Sequence, residues 1–125
     1  MSKESVLYVD DEEINLLLFS ANFEEDYNVI VASSGKEALN IIDKNPDINI
    51  IVSDIKMPEM NGFEFIQKVK LRYPEKVCII LSAFSRYDFS SNTDTEKNIY
   101  RYLNKPLRRD EMNQTLQEAL GNYNS

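Results

Sequence analysis

The sequence predicts a doubly wound α/β domain: a five-stranded parallel sheet in the order 2-1-3-4-5, with helices on both faces. Three observations carry this expectation. Short runs rich in Val and Ile alternate with helical patterns five times along the chain, the sequence form of repeated strand–helix units. Three of those runs are nearly continuous in apolar residues, as strands covered on both faces are. The chain has 125 residues, 42% apolar and 28% charged, which suits one domain able to bury roughly two-thirds of its unfolded surface. Right-handed crossovers then favour the stated order. There is no linker, repeat or low-complexity tail, so a single domain over residues 1–125 is expected.

The strands are read at "SVLYV" (5–9), "NVIVA" (28–32), "INIIVS" (48–53), "VCIILS" (77–82) and "IYRYL" (99–103). In residues 12–24, Ile14, Leu17, Leu18 and Ala21 fall at i, i+3, i+4 and i+7, which predicts one apolar helix face. Ala38, Ile41 and Ile42 line 35–44, where Ser34 is the expected N-cap and Glu37 completes a capping box. Phe63, Ile66 and Val69 line 63–72, which ends before Pro74. Met112, Leu116, Ala119 and Leu120 line 109–120, with Gly121 as the expected stop. The segment 85–98 should hold the fourth helix, but only Tyr87 and Phe89 anchor it. Ser, Asn, Thr and Asp fill 90–95 and prefer caps and turns, so a short or frayed helix of low local stability is expected there.

Composition narrows the chemistry. A net charge of −7 argues against nucleic acid or an anionic membrane as the main partner. No apolar run approaches the ~20 residues of a membrane span, and "MSKES" does not read as a signal peptide, so a cytoplasmic protein is expected. The chain has no histidine. That removes Ser-His-Asp and Cys-His nucleophile systems and any His-ligated metal. Cys78, inside "VCIILS", reads as a small buried strand residue rather than a reactive thiol.

What remains is carboxylate, hydroxyl and lysine chemistry, and the predicted topology gathers such groups. Ligands in this kind of sheet bind beyond the carboxyl ends of the strands, where the winding reverses between strands 1 and 3. Strand 1 delivers Asp10 and Asp11 to that edge, strand 3 ends in Asp54, strand 4 in Ser82, and strand 5 leads to Lys105. Acids before a helix are also favoured by its dipole alone, so "DDEE" by itself would carry little weight. The coincidence of all five at one edge carries it. Three carboxylates in one crevice repel by about 4 kcal/mol per close pair at an effective dielectric near 20. With oxygen donors only, a hard divalent cation such as Mg²⁺ resolves that repulsion. Lys105 and the Ser82 hydroxyl complete surroundings suited to phosphoryl transfer onto Asp54.

These residues resemble the response-regulator receiver domain over nearly the whole chain. The marks are "VLYVDDEE", "VSDIKMPEMNGFEFI", "IILSAF" and "YRYLNKP". The resemblance implies a flavodoxin-like fold and a phosphorylation-dependent signalling switch, not an enzyme acting on a separate substrate. It implies Asp54 as phosphoacceptor, with Ser82 and Lys105 contacting the phosphoryl group and Lys105 preceding a cis Pro106. Mg²⁺ (or Mn²⁺) would be bound by Asp11 directly, by Asp10 largely through water, by Asp54 and by the backbone carbonyl of Lys56. Ser82 and Tyr102 fall at the switch positions. The implied partners are a histidine kinase or histidine phosphotransfer protein and a downstream protein or domain. Self-association through the face formed by 85–98, strand 5 and the 109–120 helix is a further implied output. Three departures stand out: "Lys97-Asn98" where Gly-Ala is usual, the polar 85–98 segment, and Ser rather than Thr at position 82. Lys56 and Phe84 occupy the positions that tune acyl-phosphate lifetime in this family.

Rival functions are distinguishable from the residues. A haloacid-dehalogenase-type phosphatase needs a second carboxylate two residues after Asp54, where Lys56 stands. A flavodoxin-like electron carrier needs a first loop rich in Ser, Thr and Gly, and "DDEEIN" would repel its phosphate. A phosphate-independent receiver-like binding module is the remaining alternative.

Overall fold

The computed structural model describes residues 3–83 and 97–124. Five parallel strands, β1 (Ser5–Val9), β2 (Asn28–Ala32), β3 (Ile50–Ser53), β4 (Val77–Ser82) and β5 (Arg101–Asn104), form one sheet ordered β2-β1-β3-β4-β5. The helices are α1 (Glu13–Phe23), α2 (Gly35–Lys44), α3 (Gly62–Arg72) and α4 (Arg109–Asn124). The expected fold class and strand order are therefore observed. Of the segment expected to hold a short helix of low stability, 85–98, only Lys97 and Asn98 are described; residues 84–96, Phe84 included, lie outside the described residues.

Strand alternation divides the core into two layers. Leu7, Val9, Ile51, Cys78 and Ile80 face one side and pack with Leu39, Ile42, Phe65, Ile66 and Val69 from α2 and α3. Val6, Tyr8, Ile50, Val52, Ile79 and Leu81 face the other and pack with Phe19 and Phe23 of α1 and Met112, Leu116 and Ala119 of α4. Burial on both faces explains why these strands read as continuous apolar runs. Cys78 is buried with its thiol pushed up to about 12 by desolvation, which fits a packing role.

Two helix faces depart from expectation. The stripe Ile14, Leu17, Leu18 and Ala21 of α1 is exposed, and Phe19 and Phe23 are buried with Leu16 packed beside them. The run "EINLLLFSANF" is apolar on most of its circumference, so two faces compete. The face carrying two phenyl rings wins because aromatic rings bury the most area. Phe19 also stacks on Tyr8 at 4.4 Å between centroids. On α4, Gly121 does not stop the helix, which continues to Asn124. A methyl group there would meet nothing within 4 Å, so no packing demand accompanies this glycine. Its propensity cost of about 1 kcal/mol is insufficient to end a packed helix.

Capping follows local sequence. The Ser34 hydroxyl accepts from Glu37 N–H, as expected, but the Glu37 carboxylate accepts from the Ser33 hydroxyl rather than closing the box. The full capping box belongs to α3, where Asn61 and Glu64 bond each other's backbone. At the amino end of the sheet the buried Lys76 ammonium donates to the carbonyls of Pro46 and Ile48 at 2.8 and 2.5 Å, tying the approach to β3 to the start of β4. Among the described residues no helix is long and apolar enough to cross a membrane.

Candidate functional site

Parallel register places the ends of β1 and β3 side by side, Val9 opposite Ser53. Asp54 N–H donates to the Val9 carbonyl at 2.9 Å and Asp10 N–H to the Ala32 carbonyl at 3.1 Å, so both residues extend the ladder by one step. Their side chains emerge at the carboxyl edge of the sheet beside Asp11. One carboxylate oxygen from each of Asp10, Asp11 and Asp54 lies within 4.8 Å of the others. Asp10 is fully buried, Asp54 is 6% exposed, and Asp11 is open to solvent.

Each buried carboxylate is held on both oxygens. Asp10 Oδ1 accepts from Glu12 N–H at 2.9 Å; Oδ2 accepts from the Tyr8 hydroxyl at 2.7 Å and Lys105 Nζ at 2.9 Å. Asp54 Oδ1 accepts from Ile55 N–H at 2.7 Å, and Oδ2 from Lys105 at 3.2 Å. Burial alone would lower the Lys105 pKa, but the hydrogen bond and charge of Asp10 and the charge of Asp54 outweigh it and hold the pKa above the ordinary lysine value. Burial, reinforced by Asp10, holds the Tyr8 hydroxyl in its neutral, proton-donating form.

Among the described residues, the three carboxylates meet the Lys105 ammonium, which leaves a surplus of negative charge at the crevice. The donor set is all oxygen. It fits a hard divalent ion such as Mg²⁺ or Mn²⁺, which would offset the repulsion.

The loop from β3 to α3 is folded back onto Asp54. Gly62 N–H donates to the Ile55 carbonyl at 2.8 Å, and a Cβ at Gly62 would lie 2.2 Å from the Asp54 carbonyl oxygen. Only glycine permits that approach. The Ser53 hydroxyl donates to the same Asp54 carbonyl at 2.8 Å.

Other residues singled out in the sequence take these places. Ser82 is buried at the end of β4, where its carbonyl accepts from Lys105 N–H at 2.8 Å. Lys56 is exposed in the loop two residues beyond Asp54. The Lys105–Pro106 peptide is cis. Tyr102 lies on β5 opposite Ile80, half-buried against the α2–α3 layer. Tyr8 and Gly62 were not legible as site residues from composition or motif. For Tyr8 the signal was its spacing of two from Asp10 along a strand, which turns both side chains to one face.

Comparison with known proteins agrees with this geometry. The family model described as the response regulator receiver domain matches residues 6–117. The hydrogenase transcriptional regulatory protein HoxA of Cupriavidus necator is 31% identical over 116 residues, 93% of this chain but 24% of that protein. This chain thus spans about a quarter of that relative's length. A receiver domain protein from Clostridium thermocellum superimposes with a TM-score of 0.86 at 26% identity, covering 98% of this chain and 96% of that one. The beryllofluoride-activated NtrC4 receiver domain dimer gives 0.86 at 30% identity, over 96% of this chain and 98% of that one. With the strand order, the acidic cluster and this match in agreement, the chain belongs to the response regulator receiver domain family of two-component signalling.

Proposed function

We propose that this domain takes a phosphoryl group from a partner's phosphohistidine onto Asp54 and that the acyl phosphate changes the surface it offers to a downstream partner. One observation carries the reading: the Asp54 carboxylate sits at the strand-end crevice, ion-paired to Lys105 and clustered with Asp10 and Asp11. With no histidine in its 125 residues, the chain needs its donor from another protein or segment.

In the transfer, a carboxylate oxygen of Asp54 forms the new bond to phosphorus with its own lone pair. The P–N bond of the donor breaks, and its electrons stay with the imidazole nitrogen. Asp11, Asp54 and the Lys56 carbonyl, with Asp10 largely through water, would hold a divalent cation, which would supply positive charge to offset that of the phosphoryl group. Lys105, which already donates to Asp54 Oδ2, is placed to follow the charge onto a phosphoryl oxygen. Ser82 offers a hydroxyl from the neighbouring strand. The phosphoryl group adds about −1.5 to −2 charge. Drawing Ser82 toward it makes room for Tyr102, whose partner across the β4–β5 ladder, Ile80, lies two residues before Ser82. The result is a shift in a two-state equilibrium of the face around β5 and α4.

The donor's approach surface is the exposed stripe Ile14, Leu17 and Leu18, which begins one turn beyond Asp11. A protein that presents phosphohistidine to Asp54 must cover the crevice mouth and so meets the start of α1. The dimeric state of the activated NtrC4 receiver supports self-association as one possible form of output.

Incubation with acetyl phosphate and Mg²⁺, read by intact mass, tests the assignment. A gain of one phosphoryl group is expected in the wild type and none in Asp54→Asn. Undiminished labelling of that variant would place the acceptor elsewhere, and no labelling of the wild type would favour the phosphate-independent binding module.

A further inference from the structure

Tyr8 is 1% exposed and stacks on Phe19 with the rings 12° from parallel. A phenylalanine would make the same stack. What phenylalanine lacks is the hydroxyl, which donates to Asp10 Oδ2 at 2.7 Å. Lys105 donates to that same oxygen at 2.9 Å, and Glu12 N–H holds the other at 2.9 Å. Asp10 is thus fixed by three donors, from β1, from the approach to α1 and from the segment after β5. Of these, Lys105 has a second duty at Asp54 and must be free to move when that residue changes charge. Tyr8 is buried between the sheet and α1, and among the described residues its hydroxyl donates to Asp10.

We infer that Tyr8 is a positioning residue for Asp10, its hydroxyl holding the carboxylate in the orientation that receives the divalent cation while Lys105 is exchanged toward Asp54. The inference rests on the reading that Asp10 belongs to that cation site. Hydrogen-bond partners of metal-ligating or water-bridging carboxylates set their orientation, and removing one typically costs 10–100-fold in metal affinity.

The test is metal affinity, measured without any phosphodonor. Free Mn²⁺ is counted by electron paramagnetic resonance, with Mg²⁺ as competitor, for wild type, Tyr8→Phe, Asp10→Asn and the double variant. Tyr8→Phe is expected to weaken binding about tenfold. In the Asp10→Asn background the same substitution should change nothing, since the pair acts as a unit. Unchanged affinity in Tyr8→Phe, or an equal loss in both backgrounds, overturns the inference. If the wild type binds Mn²⁺ and Asp11→Ala abolishes it while Tyr8→Phe binds normally, the inference falls and the cation site stands. No binding by the wild type removes both. Thermal melting in EDTA separates a purely structural role, which would lower stability with and without metal by the same amount. Should Tyr8→Phe fail to fold, the wild type still decides by NMR. The Tyr8 hydroxyl proton should exchange slowly and shift on addition of Mg²⁺, and a resonance that does not move on metal addition overturns the inference.

Discussion

Glu59 and Gly62 lie three residues apart in the loop that carries Asp54, and their backbones meet opposite demands. Glu59 is the non-glycine residue with positive φ among the described residues, at 68°. A side chain in that left-handed region costs roughly 1 kcal/mol, partly offset by the flexibility glycine would add to the unfolded chain. Glu59→Gly is therefore expected to raise stability by about 0.5 kcal/mol, measured by urea unfolding. Gly62 has no such freedom, because a methyl group would press against the Asp54 carbonyl from 2.2 Å. Gly62→Ala is expected to cost about 2 kcal/mol or more as an overpacking change, and to slow acetyl phosphate labelling because the displaced atoms belong to Asp54, the proposed acceptor.

At the scale of elements, α1 is the informative helix. It packs through Phe19 and Phe23 and leaves Ile14 at 59%, Leu17 at 59% and Leu18 at 50% exposure. Single exposed apolar residues are ordinary, but three on one stripe beside the acidic cluster suit the docking surface proposed for the phosphodonor. Leu17→Ala should leave folding and acetyl phosphate labelling intact while lowering the rate of phosphoryl transfer from a partner histidine kinase about tenfold, as the loss of one apolar anchor worth about 1.4 kcal/mol would. Equal rates from the kinase in both proteins would assign the stripe no part in docking. The capping pair Asn61 and Glu64 does comparable work for α3: it fixes the first turn directly behind Gly62 and so holds the loop against Asp54.

Across the whole molecule, Lys105 joins elements far apart in sequence, bonding Asp10 of the β1 edge, Asp54 of the β3 edge and, through its N–H, Ser82 of β4. Its pKa is raised in the folded protein. The pairing therefore contributes its full stability below the unfolded lysine value, about 10.4, and loses it as pH rises through the folded value. In metal-free buffer, Lys105→Met should be less stable than wild type at pH 7–9, since it leaves Asp10 buried without its cation. The gap between the two unfolding curves should shrink only as pH rises past the ordinary lysine value and through the raised folded one, and a gap independent of pH across that range would mean that Lys105 stabilises by packing alone. In the proposed switch, the same network would carry charge at Asp54 to β5. Tyr102→Ala should leave Asp54 labelling nearly intact and flatten the difference in self-association or partner binding between the two states, a coupling of about 1–3 kcal/mol. Sedimentation with and without acetyl phosphate measures that difference for self-association.

The sequence alone determined the strand order and the edge at which the chemistry gathers. Both follow from local signals: Val- and Ile-rich runs of strand length, helical spacing between them, and polar residues at strand ends. Asp10, Asp11, Asp54 and Lys105 were legible because topology alone brings the ends of adjacent parallel strands together. Which face of α1 turns inward was not legible. Apolar residues surround that helix, and the choice depends on whether Phe19 finds Tyr8 across the interface. Nor did a glycine at position 121 announce that its helix would continue, since packing of Met112, Leu116 and Ala119 sustains the element past its weakest residue. Spacing of two turns Tyr8 and Asp10 to one face, but the 2.7 Å bond between them and the approach of Gly62 to Asp54 were decided by tertiary structure. They are contacts of a few ångströms between atoms whose placement is set by the packing of whole layers, and no periodicity in the chain encodes a distance of that kind.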